Sequence, residues 1–111
     1  MGRSGAALTP KTAPVFAALG DSTRLGLVTR LCQEGPLSIT KLSAGSDITR
    51  QAITKHLRVL AEAGVLRSRR DGRESVWELQ PQRLEQAQRY LDQISRQWDD
   101  SLIRLRALVE S

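Results

Sequence analysis

The spacing of apolar residues changes abruptly at Gly64. Before it, in "SDITRQAITKHLRVLAEAG" (residues 46–64), Ile53, Leu57 and Leu60 recur at helical spacing. After it, in "VLRSRRDGRESVWEL", apolar residues alternate, and an Asp71-Gly72 pair divides two strand-like runs. A helix that ends in glycine and runs straight into a hairpin leaves few folds open. Thr49 is the expected N-cap, and Gly64 the left-handed residue that closes the helix. The Asp-Gly pair predicts a two-residue type I′ turn. Centred there, Arg70 faces Arg73, Arg69 faces Glu74 and Leu66 faces Trp77. Leu66, Trp77 and Leu79 then share the buried face, and Arg67, Arg69 and Val76 the other.

Upstream, residues 1–13 read as a flexible Gly/Ala/Thr-rich arm. Pro14 opens a short helix that ends at Gly20, and Asp21 caps a second. Leu25, Val28, Leu31 and Cys32 follow at helical spacing to about Glu34, where Gly35-Pro36 stops the helix. That spacing places Cys32 in the core as a small hydrophobe. Leu37-Ser38-Ile39 is short and extended, residues 40–44 form one short helix with Leu42 inward, and residues 45–47 turn. Downstream, Pro81 starts a helix reaching the C-terminus. Leu84, Ala87, Leu91, Ile94, Trp98, Ser101, Leu105 and Leu108 repeat there at alternating spacings of three and four. So small a domain cannot cover that whole seam, so a second copy is expected on it.

A chain of 111 residues makes one domain, and with two Trp, one Tyr and one Phe its core must be mainly aliphatic. No apolar run approaches the ~18–20 residues that span a bilayer, so no membrane association is expected. The N-terminus shows no leader pattern, and Ala6 stands where myristoylation favours Ser or Thr. Cys32 is the single cysteine, so no intrachain disulfide forms, and a cytoplasmic protein is the simplest reading.

Charge is concentrated. Between Arg50 and Arg73 lie seven basic side chains and two acidic ones, an excess equal to the net +5 of the whole chain. Such a stripe suits nucleic acid. On the helix that Thr49 caps, the apolar face is Ile53, Leu57 and Leu60, with Thr49 and His56 on its flanks. The opposite face carries Arg50, Gln51, Thr54, Lys55 and Arg58, with no acid before Glu62. It mixes residue types that read base edges (Arg, Gln, Thr) with types that pair phosphates (Lys, Arg). The element order is helix, helix, short helix, turn, helix, hairpin, long helix. That is a mainly α fold with a β-hairpin wing, a winged helix-turn-helix. Its second motif helix fits the ~12 Å major groove of double-stranded DNA. Arg50, Gln51 and Thr54 are the expected base readers. Lys55, Arg58, Arg67, Arg69, Arg70, Gly72 and Arg73 are the expected backbone contacts.

The stretches "ALGDSTRLGLVTRL", "ITRQAITKHLRVLAEAGVL" and "RRDGRESVWEL" resemble the ArsR/SmtB family of bacterial winged-helix transcriptional repressors. The resemblance spans roughly residues 14–79, and the last helix fits the family's dimerisation helix. It implies a bacterial homodimer on a palindromic operator, released by an effector. It places recognition on Thr49, Arg50, Gln51, Thr54 and Lys55, and the wing tip on residues 69–73. The expected dimerisation residues are Phe16, Leu91, Ile94, Trp98, Leu102 and Leu105. Many members bind metal through cysteines before the recognition helix or through His and Asp on the last helix. Here "SITKLSAGS" holds no cysteine, and the last helix has Asp92, Asp99 and Asp100 but no His. Neither a metal nor another cofactor is expected, and no residue set identifies an effector. His56, the single histidine, is read as packing. No nucleophile, acid–base or phosphate-loop constellation suggests an enzyme. The expected division is an arm (1–13), a DNA-binding domain (14–79) and a dimerisation helix (80–111), compact as one unit. The alternative function is a protein-interaction module working through the heptad helix.

Overall fold

The computed structural model describes residues 12–110, so the expected arm lies almost wholly outside the described residues. Five helices and three strands follow in the order α1 (Ala13–Leu19), α2 (Ser22–Glu34), β1 (Leu37–Ser38), α3 (Ile39–Ser43), α4 (Arg50–Glu62), β2 (Leu66–Asp71), β3 (Glu74–Leu79) and α5 (Pro81–Glu110). The fold is mainly helical with a small antiparallel sheet and one long helix that stretches the molecule to 66 × 32 × 20 Å. No helix among the described residues is long and apolar enough to cross a membrane.

Local chemistry sets the helix ends. The Asp21 carboxylate accepts from the Arg24 N–H at 3.0 Å, Ser38 Oγ from Lys41 N–H, and Thr49 Oγ1 from Ala52 N–H. Each satisfies a first-turn donor that the helix itself leaves open. At the other end of α4, Gly64 has φ +83°. The Val65 N–H donates to Leu60 O and the Gly64 N–H to Ala61 O, the paired bonds of a Schellman motif. Gln80 N–H then donates to Val65 O at 2.8 Å, tying the root of α5 to the exit of α4.

The core lies where α1, α2, α3 and α4 meet the sheet. Ile53, Leu57 and Leu60 from α4 are at most 2% exposed, with Leu31, Leu42, Val65 and Leu66 around them. Burying each such side chain is worth about 1.5–3 kcal/mol. The apolar face expected for α4 is the one it buries.

The structure corrects three sequence expectations. Cys32 is exposed, and Leu25 is 49% exposed. The buried residues of α2 are Leu27, Val28 and Leu31. At about 100° per residue, Leu25 and Cys32 lie roughly 40–60° beyond Val28, past the edge of the buried arc. The hairpin register also differs. Asp71 pairs with Glu74, Arg69 with Val76, Arg67 with Glu78 and Leu66 with Leu79, so the loop residues are Gly72 and Arg73. Gly72 has φ +65° and no other residue type among the described residues has positive φ. Type I′ requires positive φ at both loop positions, whereas glycine at the first alone is the type II′ arrangement. The shift preserves the face of every side chain, so Leu66, Trp77 and Leu79 still lie together. Finally, the wing is three-stranded in the order β1-β3-β2, because Leu37 and Ser38 pair with Trp77 and Val76. Val76, expected away from the buried face, is only 8% exposed between its neighbours Ser38 and Arg69.

Candidate nucleic-acid interface

The polar face of α4 divides into two rows. Arg50, Thr54 and Arg58, four residues apart, line a cleft of about 380 Å³ between α4 and the wing. Ser68, Ser75 and Trp77 of the wing form the opposite wall, and Ile39 contributes from α3. Gln51 and Lys55, also four apart, do not line this cleft and are exposed. The side chains of Arg50, Gln51, Lys55, Arg58, Arg70 and Arg73 have no hydrogen-bond or ion-pair partner among the described residues. Two other expected site residues are already engaged. Thr49 Oγ1 caps the helix, and Thr54 Oγ1 donates to Arg50 O at 2.9 Å.

The expected wing contacts also divide. Arg70, Gly72 and Arg73 are exposed at or beside the tip. Arg67 and Arg69 lie on the sheet face opposite Ser68 and Trp77, where both meet Glu78, Arg67 Nε at 2.5 Å and Arg69 Nε at 2.9 Å. Glu78 is only 13% exposed beneath them. Hydrogen bonds from Arg69 and then Arg67 hold its carboxyl below the ordinary glutamate value. The same pairing raises the Arg69 guanidinium from its ordinary value. Sequence reasoning missed Glu78, Ser68 and Ser75. The period-2 alternation already put both serines on the Trp77 face, and a register opposing Arg67 to Glu78 was the available sign of the clamp.

His56 is held by polar groups as well as packing. Its Nδ1 lies 3.3 Å from Arg24 Nη1 and 3.8 Å from Asp21 Oδ2, while Arg24 Nε donates to Ala18 O. This cluster ties α4 to the N-terminus of α2. The backbone hydrogen bond from Arg24 N–H leads the causes that lower the Asp21 carboxyl below its ordinary value. Among the described residues, no three His, Cys, Asp or Glu side chains converge as a metal site would require.

A second surface lies along α5. Leu84 and Ala87 pack against the chain's own core, and Phe16 of α1 meets Tyr90 with ring centroids 5.9 Å apart. Phe16, expected at the dimer seam, is partly buried and packs on α5 of its own chain. Beyond Tyr90 the seam opens. Leu91, Trp98, Leu102 and Leu105 are 49–63% exposed, and Ile94 and Trp98 line a notch of about 240 Å³.

A helix-turn-helix whose second helix stands beside a β-wing defines the class of protein. The helix-turn-helix domain family matches residues 19–69. The chain is 41% identical over 68 residues to the uncharacterized HTH-type transcriptional regulator YuzN of Bacillus subtilis, covering 56% of this chain and 74% of that protein. It is 34% identical over 96 residues to the HTH-type transcriptional regulator Rv2034 of Mycobacterium tuberculosis, covering 86% of each. The solved ArsR-like transcriptional regulator from Rhodococcus sp. RHA1 superposes with TM-score 0.75 at 34% identity, covering 88% of this chain and 92% of that one. The chain belongs to the ArsR family of winged-helix transcriptional regulators.

Proposed function

We propose that this chain is a transcriptional repressor of the bacterial cytoplasm that binds a palindromic operator as a homodimer. The observation that carries the reading is the surface of α4 and the wing tip. Five basic side chains there (Arg50, Lys55, Arg58, Arg70 and Arg73) have no partner among the described residues, and Gln51 stands exposed among them. Unpaired guanidinium and ammonium groups favour phosphates, and a glutamine amide can bond an adenine edge at two points. Gln51 is the base reader that the exposed row favours. Arg50, Lys55 and Arg58 hold the backbone beside it, and Arg70 and Arg73 extend the grip from the wing. The open seam of α5 from Leu91 to Leu105 supplies the dimer contact and sets the separation of two α4 helices.

The test is DNA binding by the full chain, with duplexes selected from a random-sequence pool. Selected sites should carry two inverted half-sites about 10 bp apart. If three to five phosphates are engaged per subunit, log K against log salt should have a slope of roughly −5 to −9. Gln51→Ala should lose preference for selected over mixed sequence. Absence of selection, or a flat salt response, overturns the reading. Intact function after charge reversal at Arg50 and Lys55 would point instead to protein interaction through α5.

A further inference from the structure

The geometry points to the cleft between α4 and the wing as a clamp for one DNA backbone phosphate in each half-site, with Ser68 and Ser75 as ligands beside Arg50 and Arg58. The inference rests on the DNA-binding reading and adds what this part of the surface holds. The lining of the cleft, about 380 Å³, includes two buried apolar residues, Ile39 and Trp77. Its polar lining is two guanidiniums and three hydroxyls, without a carboxylate. Four of those five side chains, Arg50, Arg58, Ser68 and Ser75, have no hydrogen-bond partner among the described residues, and Thr54 keeps its acceptor lone pairs beside its bond to Arg50 O. Two guanidiniums and free hydroxyls gathered without a carboxylate suit an anionic oxygen.

Shape selects the phosphodiester over a base edge. A paired base lies recessed in a groove, and a side chain must project to reach it. The cleft is concave, and the backbone is the convex ridge of a duplex. With α4 in the major groove, the ridge bordering that groove is what can enter between helix and wing. The contrast within the wing agrees. Arg67 and Arg69 lie on the far face with Glu78 as their acceptor, whereas the residues lining the cleft include no carboxylate. A phosphate here fixes register without reading sequence, which leaves readout to Gln51.

The experiment uses the full chain, a selected duplex and a mixed-sequence duplex of equal length. Ser68→Ala with Ser75→Ala should weaken binding to both duplexes about tenfold, with the salt slope unchanged because the lost groups are neutral. Arg58→Ala should weaken both and lower the slope by about one per subunit. Scanning single methylphosphonate substitutions along the selected duplex should find one position per half-site whose neutralisation harms the wild type more than the serine variant, which keeps only the arginine contacts to it. Inorganic phosphate at matched ionic strength should leave binding unchanged. Equal sensitivity of wild type and serine variant at every phosphate overturns the clamp. So does a serine variant that shifts sequence preference, or competition by inorganic phosphate that the serine variant lacks. Unaltered thermal melting of the serine variant keeps these results free of folding effects. If the wild type selects no site, the DNA-binding reading itself has failed. If Gln51→Ala loses preference while the serine variant binds normally, the clamp alone has failed.

Discussion

The Arg69 guanidinium lies 2.9 Å from the Glu78 carboxylate, which also accepts from Arg67 on the same face of the wing. Two of the wing's basic groups are thereby half-neutralised within the protein, while Arg70 and Arg73 are not. Arg67→Ala or Arg69→Ala should therefore weaken DNA binding less than Arg70→Ala. Glu78→Gln should do the opposite of a loss. It frees both guanidiniums, so affinity for mixed-sequence DNA rises and the salt slope steepens by about one to two per subunit. Fluorescence anisotropy over a salt series measures both. An unchanged slope in Glu78→Gln would show that the two arginines never reach phosphate.

The same pair sets an acid response. The Glu78 carboxyl is held below its ordinary value of 4.5 by the arginine hydrogen bonds. A group depressed on folding stabilises the protein above its unfolded pKa, and this contribution fades as pH falls through the folded value. Urea denaturation should show wild type more stable than Glu78→Gln near neutrality. The gap should close as pH falls below about 4.5. A gap constant down to pH 3 would mean that the two variants differ for some reason other than charge.

The wing also shows what the sequence made legible. Alternation separated Leu66, Trp77 and Leu79 from Arg67, Arg69 and Val76, because a hairpin shifted by a whole pair keeps its parity, but it did not show that Val76 is buried. The register itself escaped, since "DGRE" can centre its turn on Asp71-Gly72 or Gly72-Arg73. The second choice opposes Arg67 to Glu78 and Leu66 to Leu79, a cross-strand gain that local turn chemistry does not contain. β1 was legible only as extended chain, because two residues cannot display a period. In α2 the helix and its Asp21 cap were plain, but Cys32 shows the limit. Spacing alone finds a helix, while the packed neighbours fix where its buried arc ends. The two rows of α4 were visible as one polar face, and only the placed wing separates Arg50 and Arg58 from Gln51 and Lys55.

Gly64 joins α4 to the wing with φ +83°, and a Cβ built there would meet the Arg83 side chain at 2.7 Å. Gly64→Ala should lower stability by about 1–2 kcal/mol from the left-handed backbone alone. Arg83 is a flexible side chain and can swing away, so adding Arg83→Ala should restore little. Chemical denaturation of the single and double variants decides between backbone and contact. Full recovery in the double variant would place the whole effect in the side-chain clash.

Leu57 is fully buried at the centre of α4, one turn from Ile53 and Leu60. Leu57→Ala should cost about 2–5 kcal/mol. A small domain has about 5–15 kcal/mol in total, so this variant should melt far lower while its exposed neighbour Arg58→Ala melts normally. Differential scanning calorimetry separates them. The comparison matters for every binding result on α4, because the two residues are adjacent in sequence yet one holds the fold and the other faces the cleft.

The seam of α5 changes role along its length. Ala87 belongs to the chain's own core and Leu84 packs against it, whereas Trp98 is 63% exposed and Leu105 57%. Exposed apolar residues at heptad spacing are stable in water when a partner helix covers them. The proposed dimer therefore predicts that Trp98→Asp yields a monomer in sedimentation equilibrium and still melts cooperatively, since the core around Leu57 is untouched. Its DNA binding should fall sharply on the two-half-site duplex and hardly at all on a single half-site, because the partner subunit supplies half of the phosphate contacts. By contrast Leu84→Asp should unfold the domain, as that residue packs inward. A Trp98→Asp protein that remains dimeric would move the interface off this seam, and one that unfolds would show that the far end of α5 packs on its own domain.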